Sequence, residues 1–170
     1  MASVKLLRPE GEQDFADVHA LATAELGPGL ASLEEIMRVD SLTGAAIWTM
    51  KRSGAVTGFL APLALTLEGR DALVAGTFDA ANIERRWVAA MGQPLAGFYC
   101  WCSAARDQAT RGALSLALRA LVDVHFPDLP FFARASSEAG GRIMRHLGFL
   151  PFDATPHLFW RCCSVTEQTA

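Results

Sequence analysis

The residues with the most chemical promise lie between Gly97 and Asp123, in GFYCWCSAARDQATRGALSLALRALVD. An apolar run from Gly97 to Ser103 leads into a short polar loop, which passes through Arg111-Gly112 into a helical pattern. Leu114, Leu118, Leu121 and Val122 recur on one face of that helix. A strand feeding a glycine-bearing turn at a helix start leaves backbone N–H groups unpaired. It also aims the positive end of the helix dipole at them. Such a place can hold a phosphate. On the pattern alone, an ordinary strand-to-helix connection explains the same stretch.

Proton chemistry has few candidates. Tyr99 is the only tyrosine and lies on the apolar run. It is a possible donor, and packing within a sheet is its other role. Ser137 stands where a strand-like Phe131-Phe132-Ala133-Arg134-Ala135 gives way to a helix ending in Leu147-Gly148-Phe149. It would either bond a ligand or a water, or cap Glu138 to Leu147. Glu84 and Asp79 are possible bases, or else a solvated face residue and a cap. The four histidines, His19, His125, His146 and His157, are dispersed. None is spaced from a Cys or Ser as a nucleophile pair would be. The four cysteines pair as Cys100-x-Cys102 and Cys162-Cys163, which is not zinc-knuckle spacing. No metal site is expected. Alternation would place Cys100 and Cys102 on one side of a strand.

The two segments, in this order, resemble the GNAT superfamily of acyl-CoA N-acyltransferases. In that family a strand is followed by a loop with Gln/Arg-x-x-Gly-x-Gly/Ala, and a later helix ends in Leu-Gly-Phe. Ala104 stands at the position that ends the strand, Arg106-Asp107-Gln108 fill the bend, and Ala109-Thr110-Arg111-Gly112-Ala113-Leu114 fill the signature. Arg111 and Gly112 match its core. Ala109 replaces the first Gln/Arg, Leu114 the last Gly/Ala, and Met144 the tyrosine that often serves as general acid. The motif resemblance covers about residues 95 to 152.

The resemblance implies an acetyl-CoA donor and an amine acceptor that the sequence does not name. Backbone N–H groups from Trp101, Cys102, Ser103 and Ala104 would hold the acyl-pantetheine portion. Those of the loop Ala109, Thr110, Arg111, Gly112, Ala113, Leu114 and Ser115 would hold the pyrophosphate. With Met144 in place of the acid, Tyr99 or a water held by Ser137 would protonate the leaving thiolate. The alternative is a GNAT-fold module that binds acyl-CoA or a partner without catalysis. A homodimer is compatible with either.

The elements that must position these groups can be read from the rest of the chain. Its 170 residues suit one domain, and 51% are apolar against 19% charged, which excludes disorder. A net charge of −3 gives no electrostatic footprint for nucleic acid. No apolar run reaches the length of a membrane span, and the N-terminal residues lack a signal-peptide core, so a cytoplasmic protein is expected. Ser3 to Leu7 reads as a first strand, and Phe15, Val18, Ala22 and Leu26 as an amphipathic helix. Ser32-Leu33-Glu34-Glu35 is a capping box. Ala45 to Lys51 and Ala55 to Leu67 are strand-like, joined at a Lys51-Arg52-Ser53-Gly54 hairpin turn, with Pro62 marking a bulge or an edge.

Asp71 to Gly76 reads as a short sheet piece. Asp79 then caps a helix carrying Ile83, Trp87, Val88 and Met91, within a helical insertion at 70–93 that packs on the sheet or walls an acceptor site. Pro151 to Cys163 returns as one or two antiparallel strands. The expected whole is a single α+β (α/β) domain over 1–163 with a tail at 164–170. It has a mixed, mostly antiparallel twisted sheet with helices on both faces. Leu95 to Ser103 should be central, with Leu129 to Ala135 parallel beside it, because a helix makes the crossover.

Overall fold

A computed structural model gives the fold, described over residues 5–135 and 137–161. Ser136, Cys162, Cys163, the expected tail at 164–170 and the start of the expected first strand lie outside the described residues.

The chain runs α1 (Glu12–Leu26), α2 (Leu33–Thr43), β1 (Trp48–Arg52), β2 (Ala55–Leu65), α3 (Leu67–Val74), β3 (Gly97–Ala105), α4 (Gln108–Ala120), β4 (Phe131–Arg134), α5 (Glu138–His146), β5 (Leu150–Pro151) and β6 (Leu158–Arg161). One six-stranded sheet has the order β1-β2-β3-β4-β6-β5. Every pairing is antiparallel except β3 with β4, where α4 makes the crossover. The turn between β1 and β2 has positive φ at Ser53 (53°) and Gly54 (83°), the left-handed pair that lets a two-residue hairpin follow the strand twist.

Each face of the sheet buries its own apolar layer. One layer joins Val18 and Leu21 of α1 and Ile36 and Val39 of α2 to Phe59, Ala61, Leu63, Tyr99 and Phe132. The other joins Leu114, Leu118 and Val122 of the α4 region to Leu60, Phe98, Phe131, Ala133 and Phe149. The alternation along β4, Phe131 and Ala133 to one side and Phe132 to the other, is what lets a short strand serve both layers.

Three sequence expectations are corrected. In the described part of the expected first strand, only Leu7 pairs, as an antiparallel bridge with Thr49. Residues 71–76 are not sheet: Thr66 caps α3 by accepting from Gly69 N, and Gly69 and Leu73 are buried one turn apart. The helix expected after Asp79 is not formed either. Only Arg85–Trp87 makes a 3₁₀ turn.

The reason is lateral pairing. Asp79 accepts from Ala81 N and holds a tight turn. Glu35 accepts from Ile83 N, and Arg38 donates to Ile83 O. Thr66 N donates to Trp87 O, Ala89 N donates to Ala64 O, and Val88 bridges Leu65. These backbone groups are spent on α2 and β2, so tertiary contacts override the helical period. Glu35 pays into this tie rather than completing its capping box. Ser32 accepts from Glu35 N at 3.1 Å, but the Glu35 carboxylate goes to Arg38 and Ile83. The Arg38 guanidinium and the Ile83 amide outweigh burial and hold that carboxyl below its usual range.

Gly69 lets α3 lie against this segment. A Cβ there would stand 1.9 Å from the Trp87 carbonyl oxygen. Gly69→Ala should lower the unfolding free energy in urea by about 3 kcal/mol. A loss below about 1 kcal/mol would contradict the close approach.

Candidate functional site at the β3–β4 split

β3 and β4 begin side by side and then part. They pair at Phe98–Phe131, Tyr99–Phe132 and Cys100–Ala133, where the register ends. β3 continues to Ala105 on β2 alone. Along that stretch, among the described residues, its other edge has no strand beside it.

A bulge sets the geometry of this open edge. Ala61 pairs with Cys102 and Pro62 with Cys100, so Trp101 is the extra residue. Pro62 has no N–H to give the ladder at this point. The bulge reverses the strand's alternation, as the hydrogen bonds on either side of it prove. Phe98 N donates to Pro130 O on the β4 side at 2.9 Å, whereas Arg106 N donates to Thr57 O on the β2 side at 2.9 Å. Both positions are even, and a regular strand would aim them alike. Beyond the bulge, therefore, Ser103 turns its amide and carbonyl to the open side. The Ala105 carbonyl follows the same parity and accepts from Arg111 Nη2 at 3.4 Å.

Side chains obey the same reversal. Cys100 packs on the α4 side and Cys102 on the α1 side, so the two thiols do not share a side as the sequence alternation implied. Burial pushes both thiols up to about 12, which keeps them protonated. Trp101 also lies on the α1 side, where its indole N–H donates to Ala80 O at 2.8 Å. Ala104 is buried in that layer. The Ser103 side chain is exposed.

Both parallel strands feed helices at the same end of the split. α4 starts at Gln108, one turn before the glycine that drew attention in the sequence. Its cap is Asp107, whose carboxylate accepts from Thr110 N at 2.8 Å. Arg111 N already donates to Asp107 O, and Gly112, Ala113, Leu114 and Ser115 continue the helix. The Asp107 carboxylate also draws on the Ala109 amide, which leaves Gln108 as the open end of the helix. Thr110 and Leu114 are buried against β2, and Ala113 is partly buried. Ser115 bonds its hydroxyl to Arg111 O. Arg52 approaches Asp107 at 3.6 Å, and Arg111 lies 3.7 Å from Glu25. Arg106 Nε donates to Val56 O. The helix start thus carries three arginines, with the carboxylates of Asp107 and Glu25 among them. A Cβ at Gly112 would meet nothing within 4 Å. No positive φ and no packing require glycine there.

α5 starts at Ser137, which caps it by accepting from Gly140 N at 3.1 Å. That leaves the hydroxyl proton to donate. Met144 packs into the layer beneath α4 and α5. Asp79 and Glu84 are occupied, by the Ala81 and Asn82 nitrogens and by Arg86 respectively.

Tyr99 sits in the opposite layer, edge-on to Phe78 with ring centroids 5.6 Å apart. It is 3% exposed, and burial pushes its hydroxyl up to about 12 against the pull of Arg134. Arg134 was not singled out in the sequence. The β4 alternation that puts Phe132 on the Tyr99 side would have placed it there, at the mouth of the split.

The same architecture is found in solved structures. Ard1 from Thermoplasma volcanium superposes with a TM-score of 0.58 at 12% identity, over 96% of this chain and 99% of that one. The structure described as histone acetyltransferase HPA2 and related acetyltransferase from Corynebacterium glutamicum gives 0.56 at 15% identity, over 97% and 99%. The chain has the GNAT fold. A GNAT-like decarboxylase, GphF, solved in complex with isobutyryl-CoA, gives 0.53 at 19% identity, over 88% of this chain and 73% of that one. No protein-family model and no curated protein matches the sequence. Among the described residues, no helix is long and apolar enough to cross a membrane and no three His, Cys, Asp or Glu side chains group as metal ligands.

Because Tyr99 is the only tyrosine, absorbance at 295 nm during an alkaline titration reads it alone. Its ionisation should have a midpoint near pH 12. A midpoint near 10, the ordinary value, would show that the hydroxyl is solvated and available as an acid.

Proposed function

We propose that this chain binds an acyl-CoA thioester in the β3–β4 split and transfers its acyl group to an amine. The observation that carries this reading is the Ser103 amide, turned by the Trp101 bulge onto an edge with no strand beside it. A backbone donor there would polarise a thioester carbonyl and stabilise the oxyanion that forms when an amine attacks it. The amine nitrogen bonds to the carbonyl carbon, the C–S bond breaks, and CoA leaves as a thiolate while the amine loses a proton.

The pyrophosphate would lie at the start of α4. Arg52, Arg106 and Arg111 would supply charge, and the open end of the helix at Gln108 a donor and its dipole. Gly112 supports this placement. A glycine inside a helix costs about 1 kcal/mol relative to alanine, and open approach of a ligand to the backbone accounts for it. Asp107 opposes phosphate there, so binding of the anion would draw Arg52 towards it.

A water held by the exposed Ser137 hydroxyl is the better-placed proton donor, because Tyr99 is buried against Phe78. Tyr99 is a weak acid once its hydroxyl is pushed to about 12. A second reading, acyl-CoA binding without turnover, is favoured by Met144, which packs into the core and cannot donate a proton.

Calorimetry with acetyl-CoA tests the binding. Ser103→Pro, which removes the amide, should weaken affinity about ten-fold or more, whereas Ser103→Ala should leave it unchanged. Equal affinity in both variants would remove the Ser103 amide from the site. Thiol release with a panel of primary amines then decides between the readings. Turnover supports transfer, and binding without turnover on any amine supports the module.

A further inference from the structure

An apolar cavity of about 40 Å³ lies directly under the bulge. Its walls include Val18 and Ala22 of α1, Ala31 and Ile36 at the α2 end, and Trp101 and Cys102 of β3. We propose that this cavity receives the acyl chain of the thioester, and that the chain it fits is a short branched or linear aliphatic one, larger than acetyl. The proposal rests on the acyl-CoA reading and adds the class of acyl donor.

Three observations support it. First, position: Trp101 and Cys102 precede Ser103, whose amide faces the split. The cavity runs from α1 and α2 past Phe59 and Ala61 to Trp101 and Cys102, the residues next to that amide, and the proposal places in it the substituent of a carbonyl held there. On the other side of β3 the neighbouring volume is taken by Ala105, Leu114 and Leu118, all buried.

Second, chemistry: no wall residue carries a charge. The polar side-chain groups are the Cys102 thiol, which is protonated, and the Trp101 indole N–H, already bonded to Ala80 O. A protonated amine would lose its hydration there and gain no partner, at a cost of several kcal/mol. The cavity therefore suits the acyl portion and not a cationic acceptor.

Third, size: a single water needs about 10–15 Å³ of comparable space. The cavity exceeds this about three-fold, while an acetyl group would bring only a methyl. A chain of about three to five carbons uses the space, and an empty apolar void forfeits contacts with its lining.

Binding of free CoA, acetyl-CoA and isobutyryl-CoA by calorimetry tests the assignment. Each added methylene should tighten binding about four-fold, so isobutyryl-CoA should bind at least about ten-fold more tightly than acetyl-CoA. Ala31→Phe and, separately, Ala22→Leu fill the cavity and should abolish that preference while leaving free CoA affinity unchanged. Equal affinity for the two thioesters in the unmodified protein would overturn the proposal, as would a preference that survives both substitutions. The unmodified protein decides alone if a variant does not fold. If neither free CoA nor any thioester binds, the acyl-CoA reading itself fails, an outcome distinct from CoA binding without acyl preference.

Discussion

One extra residue in one strand organises this molecule. Trp101 bulges from β3 opposite Pro62, which has no N–H to close the ladder. The bulge turns the following backbone over. Before it, β3 spends its outward hydrogen bonds on β4; after it, the outward groups have no strand to meet. The same step places two successive side chains, Trp101 and Cys102, against the α1 layer. A cleft, an amide turned to the open edge and an apolar cavity therefore share a single local cause. In a regular strand these three features would not coincide.

The surroundings hold that step in place. The Trp101 indole is fixed by Ala80 O, and Ala80 lies in a segment whose backbone is tied to α2 through Glu35 and Arg38. Downstream, Trp87 stacks on Phe78, and Phe78 meets Tyr99 edge-on. The wall over this face is thus an irregular segment with satisfied backbone groups, which a short chain can pack more closely than a second full helix. At α4, Gly58 allows contact with β2: a Cβ there would meet Thr110 Cγ2 at 2.6 Å.

Much of this was legible in the sequence because it is local. Lys51-Arg52-Ser53-Gly54 reads as a hairpin turn, Pro62 marks a ladder fault, and the α4 periodicity forces a crossover that makes β3 and β4 parallel. Ser137 was readable as a cap for the same reason. What escaped is set by distant partners. Ile83, Trp87 and Met91 have helical spacing, but α2 and β2 take the backbone groups that the helix needed. The start of α4 was read one turn late, since Arg111-Gly112 looks like the turn while Asp107 performs the capping. Cys100 and Cys102 were placed on one side because the extra residue belongs to Trp101, whereas the signal for it, Pro62, lies on the neighbouring strand.

The central claim is that the Ser103 amide is the donor that meets the thioester carbonyl. Amide ¹H–¹⁵N spectra recorded while isobutyryl-CoA is added, with free CoA as the reference, address it directly. The account predicts that the Ser103 resonance moves downfield with the thioester and moves much less with free CoA, which has no carbonyl to accept that bond. A Ser103 amide that stays in place while amides elsewhere respond to the thioester would contradict it.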